Sequence, residues 1–302
     1  MTRLLLIFML VAIFSCKERP AEMAGNDVYD YGLAEKDFAG ELVATGEDSL
    51  VFDAVMRQLS DRTAAGDITG EIIRRAGEAF LQTPYVAATL EVEGDERLVV
   101  NLAGVDCTTL VEYVVAIALT YSEGGARFGS FAAKLADLRY RDGRIDGYTS
   151  RLHYFTDWLK DNERNGFLQV ISDSIGDKVL DTDVGFMTAN PGSYRQLADN
   201  PEFIEEMALL ENAISWYNMR YLSKEVIDQK ADLIEDGDIL AFVSTVGGLD
   251  VSHTGFAVRL NGRLHLLHAS ARTMEVEITE VPLSDYIMNN RNVPGILVAR
   301  VR

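Results

Sequence analysis

The stretch HTGFAVRLNGRLHLLHAS, residues 253–270, sets two runs of strand-forming residues around Asn261-Gly262. Asn-Gly between such runs is a strong hairpin signal, because the tight turn that matches strand twist needs positive φ at both central residues. If Leu260 pairs with Arg263, then His253 stands opposite Ser270 and Gly255 opposite His268. Directly paired residues share a face, and side chains alternate along each strand. His253 and His268 therefore fall on one face, a diagonal step apart. His265, opposite Val258, points to the other. A bulge would shift this register.

Outward from the hairpin, GDILAFVST (237–245), MEVEIT (274–279) and GILVARV (295–301) are further short strands. The chain before them reads differently. Leu50, Val51, Ala54, Val55 and Leu59 recur at helical spacing, as do Ile68, Ile72, Ala76, Ala79 and Phe80. RLVVNL (97–102) is a strand, and a helix starts near Asp106 and ends before Glu123-Gly-Gly. Residues 123–235 read as helices and loops, without a linker that would divide the chain. Helices followed by consecutive strands predict an α+β fold. The reading is one domain over 47–302 with a helical insertion at about 123–235.

The chain has 302 residues, 48% hydrophobic and 25% charged, with a formal net charge of −19. That charge argues against nucleic acid as a partner, since such binding neutralises phosphates with Lys and Arg. It also argues against an anionic membrane surface. The N-terminus carries Arg3, an apolar run from Leu4 to Phe14, then Ser15 and Cys16. The run is too short to span a bilayer and reads as a signal peptide over 1–15. IFSC resembles a lipobox, which predicts lipid on Cys16, a tether over 16–46 and an exported protein held at the membrane of the cell envelope; the alternative is a plain secretory signal with a nearby cleavage site, which also exports the chain. Two cysteines in an exported chain first suggest a disulfide. If Cys16 carries lipid, Cys107 has no partner and is a free thiol.

Asp106 is a good N-cap, which puts Cys107 in the first helical turn. The helix dipole and unpaired backbone N–H groups there favour a thiolate. The same amides can form an oxyanion hole. Two histidines on one sheet face, together with one cysteine at a helix start, admit three readings. The first is nucleophilic catalysis, with one histidine as base and the other orienting it. The second is a two-His, one-Cys metal site. The third is a satisfied polar patch with no chemistry.

DCTTLVE (106–112) resembles the DCSGLV nucleophile motif of the NlpC-type peptidoglycan peptidases, whose fold is papain-like. TPYVAATLE resembles their G-x-P-Y segment, DGDILAF their P-G-D-L strand, SHTGFAV the H-V-G-I-Y strand that carries the base, and LLHAS the strand with the third polar residue. The matches occur in order from 83 to 270. A long segment between nucleophile and base, containing SRLHYFTDWL, is similar to the N-acetylmuramoyl-L-alanine amidase-like branch. That resemblance implies a helix N-terminus packed on an antiparallel sheet or small barrel. It also implies cleavage of the amide between N-acetylmuramic acid and L-alanine, in peptidoglycan or muropeptides, without cofactor or metal. By position, Cys107 is the nucleophile, His253 the base and His268 the orienting residue. Tyr85, Asp106 and Ser252 are candidate substrate contacts, as are Ser150, Arg151, His153 and Tyr154. The last four have a bland alternative, because Leu152, Phe155, Trp158 and Leu159 form a helical apolar stripe. Two departures stand out. Gln82 replaces the glycine of G-x-P-Y, which alters the loop before Tyr85, and Thr109 replaces a glycine, which makes the helix start less open. Competing functions are a D-glutamyl-diamino acid endopeptidase and a non-catalytic lipoprotein that binds cell-wall fragments.

Overall fold

The computed structural model describes residues 37–62, 69–181 and 183–302. The predicted leader, Cys16 and the tether through residue 36 lie outside these, as does Ile68. The fold begins before residue 47, because Leu42–Val43 (β1) pairs in parallel with Leu98–Val99 (β2). Between these strands, Gly46–Arg62 (α1) and Thr69–Glu78 (α2) bury Phe52, Val55, Leu59, Ile72, Ile73 and Ala76. Cys107–Ser122 (α3) follows, with every residue from Thr109 to Thr120 buried. A helix buried on all sides belongs in the centre of a core, and its one charged residue, Glu112, is there ion-paired with Arg139. It packs against α2, the hairpin strands and Phe128–Arg139 (α4).

Residues 123–235 are more than a helical insertion. Besides α4, Phe155–Arg164 (α5), Ser172–Ile175 (α6), Phe186–Ala189 (α7) and Pro201–Ile214 (α8), they contribute Leu168–Val170 (β3), Lys178–Val179 (β4) and Arg220–Ser223 (β5). Strands of two to four residues are too short to show an alternating pattern.

The last part supplies Ile239–Val243 (β6), Val251–Leu260 (β7), Arg263–Ser270 (β8), Glu275–Ile278 (β9), Leu283–Met288 (α9) and Gly295–Val301 (β10). The main sheet runs β4-β5-β10-β6-β7-β8-β9, with β3 also on β10. Its pairings are antiparallel. The fold is thus mixed α+β. Asn261 and Gly262 take φ of 52° and 80°, and Leu260 pairs with Arg263 and Val258 with His265, as the hairpin signal requires.

One face of the sheet joins α3 through Ala241, Val243, Phe256, Val258, Leu267 and Ala269. The other packs Leu240, Phe242, Ala257, Leu264 and Leu266 against Leu283 and Ile287 of α9. A register shift lies between Phe242 and Val243, which pair with His253 and Val251 and leave Ser252 as the extra residue. This bulge precedes His253, so the β7–β8 register survives it.

Candidate active site

Asp106 ends an extended segment at φ −101° and caps α3. Its Oδ1 accepts the Thr109 N–H at 2.8 Å, and the Thr109 hydroxyl accepts the Asp106 N–H at 2.9 Å. Thr109 thus closes a capping box, and its side chain is buried against the cap. The Asp106 carboxylate, a candidate substrate contact, serves this cap. Cys107 is half-buried at the first helical position. Among the described residues, no acceptor meets its N–H or that of Thr108. The Thr254 hydroxyl donates to the Cys107 carbonyl at 2.8 Å and pins the helix start to β7.

Burial raises the Cys107 thiol above its ordinary pKa of 9.0, and the Asp106 charge adds to this. Hydrogen bonds from Thr254 and Thr108 oppose the shift without cancelling it. This corrects the expectation of a favoured thiolate, because the position in the first turn carries burial and a nearby carboxylate with it. The free protein therefore holds a neutral thiol at pH 7. Alkylation of Cys107 by iodoacetamide should climb steadily with pH from 6 to 9. A rate that is flat over that range, as a preformed thiolate would give, contradicts this.

His253 Nε2 and His268 Nδ1 lie 2.6 Å apart, with ring planes at 88°. Phe242 packs edge-on against His253, and Tyr286 against both Phe242 and His268. Burial pushes His253 down to about 4. It pushes His268 down to about 3, with the charges of His253 and Arg272 adding to the effect. Both rings are neutral at pH 7. Among the described residues no hydrogen bond joins Cys107 to His253. Catalytic contacts often tighten only when substrate is bound. Ser252 is exposed, and its hydroxyl donates to the Phe242 carbonyl at 3.4 Å.

Tyr85 sits on a strap that crosses from the α3 entrance to the β8–β9 turn. Its N–H donates to Met274 O at 2.9 Å, while Val105 N–H donates to Pro84 O at 3.0 Å and Val86 N–H to Val105 O at 2.9 Å. The phenol is pushed up to about 12 by burial, then by charge on Cys107 and Asp106, and the Tyr85 backbone bridges Val105, the residue before Asp106. Gln82 opens the strap at φ 70°, the left-handed region that glycine favours. The replacement seen in the sequence therefore keeps a glycine-like backbone at a non-glycine residue. Gln82 is exposed and its N–H donates to Val276 O at 2.8 Å, a bond that glycine retains. Gln82→Gly should stabilise the protein by about 0.5–1 kcal/mol, the left-handed penalty less the extra chain entropy of glycine. Chemical denaturation would read this as a higher midpoint, and a lower one would refute it.

The remaining candidates engage other partners. Ser150 Oγ donates to Gly147 O at 2.7 Å. Arg151 is buried, pairs with Glu91 at 2.6 Å and lies 4.9 Å from the Tyr148 ring. His153 Nε2 meets Tyr148 O at 2.9 Å, and burial holds its pKa well below the usual range. The Tyr154 hydroxyl donates to Glu211 at 2.6 Å. Among the described residues none of these four hydrogen-bonds to Cys107, His253 or His268. Two residues that the sequence reading missed do touch the site. Thr254 anchors the Cys107 carbonyl, and strand alternation from His253 signals its direction. Glu277 pairs with His268 across β8 and β9.

The family model described as N-acetylmuramoyl-L-alanine amidase-like matches residues 75–296. A crystal structure of an N-acetylmuramoyl-L-alanine amidase from Bacteroides uniformis is similar to this chain, with 41% identity and a TM-score of 0.74. The match covers 78% of this chain and 99% of that one. A Bacteroides fragilis protein named as a candidate xylanase is 40% identical, with a TM-score of 0.72 over 74% of this chain and 98% of that one. A Legionella pneumophila protein at 20% identity shares the fold, with a TM-score of 0.62 over 84% of this chain and 94% of that one. No curated protein matches this chain.

Proposed function

This chain belongs to the N-acetylmuramoyl-L-alanine amidase-like family, and from that membership we propose a cysteine amidase that splits N-acetylmuramic acid from L-alanine in peptidoglycan or muropeptides. The observation that carries the reading is that Thr254, which holds the Cys107 carbonyl at the start of α3, is the neighbour in β7 of His253, whose neutral ring meets that of His268 at 2.6 Å. The likeness of DCTTLVE and SHTGFAV to the NlpC-type motifs supports a papain-like arrangement.

In the proposed reaction the Cys107 proton passes to His253 Nδ1 as Sγ bonds to the lactyl carbonyl carbon. The resulting oxyanion faces the N–H groups of Cys107 and Thr108, and the Tyr85 hydroxyl. Collapse breaks the C–N bond, and His253 returns its proton to the leaving amine of L-alanine. His253 then takes a proton from water, which attacks the thioester and releases the thiol. Neutral partners suit this sequence, because thiol and imidazole exchange the proton only when substrate arrives. In most families a glycosidase needs two carboxyl groups flanking the scissile bond. Asp106 is committed to the helix cap and is not free to serve as one of that pair. Lipid on Cys16 would hold the enzyme at a membrane of the cell envelope, near its substrate.

Mass spectrometry of a defined muropeptide tests the proposal. Incubation with the mature protein should release free amino sugar and an intact peptide that begins with L-alanine. A shortened stem peptide would instead assign an endopeptidase. Absence of cleavage across several muropeptides would leave a binding role.

A further inference from the structure

His268 and Glu277 are directly paired residues of β8 and β9. The His268 ring is 1% exposed, and its Nε2 lies 3.5 Å from Glu277 Oε1. Neither atom has another hydrogen-bond partner among the described residues. A buried donor or acceptor normally finds a partner, and here the nearest charged atom is the one directly across the strand. The distance is slightly long for a hydrogen bond, as is common before substrate tightens a site.

A neutral imidazole carries hydrogen on one nitrogen, and the partner of the other nitrogen decides which. We infer that Glu277 is a positioning residue that accepts the His268 Nε2–H and thereby keeps His268 Nδ1 bare. A bare Nδ1 accepts the His253 Nε2–H across the 2.6 Å contact. His253 Nδ1, which has no partner among the described residues, is then the free base. The opposite order blocks the reaction. If His268 Nδ1 held the hydrogen and donated it to His253 Nε2, the neutral His253 would carry its own on Nδ1. That nitrogen has no lone pair left for the thiol proton.

During the reaction no proton needs to reach Glu277. The thiol proton goes to His253 Nδ1, and the hydrogens on His253 Nε2 and His268 Nε2 stay where they are. The carboxylate charge stabilises the imidazolium that forms two residues away. Arg272 also faces His268 and opposes that charge in part. Glu277 would act only through His268.

This inference rests on the proposed roles of Cys107 and His253, but its tautomer can be read without any substrate. Long-range proton–nitrogen spectra of the histidine-labelled protein at pH 7 should show both His253 and His268 as Nε2–H tautomers. In Glu277→Gln, the side-chain amide can donate to His268 Nε2, and both rings should move toward Nδ1–H. On a muropeptide that the native enzyme cleaves, this variant should lose about 10–100-fold in kcat with KM little changed, the usual scale for a group that orients a site ligand. A native His268 in the Nδ1–H form overturns the inference without any variant. So do unchanged tautomers in Glu277→Gln, or shifted tautomers with full kcat. If the native protein cleaves nothing while the tautomers shift as stated, the amidase reading fails and the tautomer assignment to Glu277 stands.

Discussion

Glu112→Ala is expected to destabilise the protein by about 3–5 kcal/mol, the usual loss when one partner of a buried ion pair is removed. Arg139 and Glu112 are 1% and 3% exposed at their side chains, and Arg139 Nε donates to Glu112 Oε2 at 2.7 Å. Arg139 also donates to Val99 O at 2.5 Å and lies over the Tyr113 ring. One guanidinium thus joins α4, α3 and β2. Without Glu112, its charge stays buried with no carboxylate in hydrogen-bond contact among the described residues. Urea unfolding would show the loss as a lower midpoint. Replacing both residues together, as Glu112→Leu with Arg139→Met, should recover most of it, because an apolar pair carries no desolvation penalty. A single variant within 1 kcal/mol of the native protein would mean that Arg139 reaches water or another carboxylate, roughly the value of an exposed pair.

Cys107→Ala should lower kcat on a cleavable muropeptide by at least about 10⁴-fold, the scale of losing a nucleophile from a catalytic unit. Cys107→Ser should be nearly as inactive, since a hydroxyl is far harder to deprotonate than a thiol. Both substitutions are small and leave the Asp106–Thr109 cap in place. Circular dichroism and melting temperature should therefore stay native. Rapid-quench mass spectrometry of the native enzyme should also capture a muramoyl adduct on Cys107. Alanine activity within tenfold of native would remove Cys107 from the mechanism and point to an activated water.

The hairpin was the most legible part of the fold. Asn261-Gly262 states its turn chemistry openly, so pairing followed, and with it the contact between His253 and His268. The helix at Cys107 was legible for a similar reason, because Asp106 is a capping residue before a long apolar run. The next turn hid itself. Between β8 and β9 the chain reads Ala-Arg-Thr-Met, and Met274 takes φ 64° where a glycine would have marked the turn. The position of Glu277 opposite His268 depends on that turn, so it was invisible. The short strands β3, β4 and β5 left no periodic trace. The state of the thiol was missed because a cap position shows where the helix dipole points, not how dry the site is. The SRLHY segment was ambiguous because the same residues suit a binding loop or a set of internal ties. Arg151 to Glu91 and Tyr154 to Glu211 are such ties.

β10 lies inside the main sheet, between β6 on one side and β5 and β3 on the other. On the ribosome it emerges after all three of these neighbours. The meander β6 to β9 can form from nearby residues, but β3 and β5 must wait with unpaired edges for a strand made much later. Sequence-distant closure of this kind is slow and exposes strand edges to wrong partners. Docking of β10 is then the step that closes the sheet.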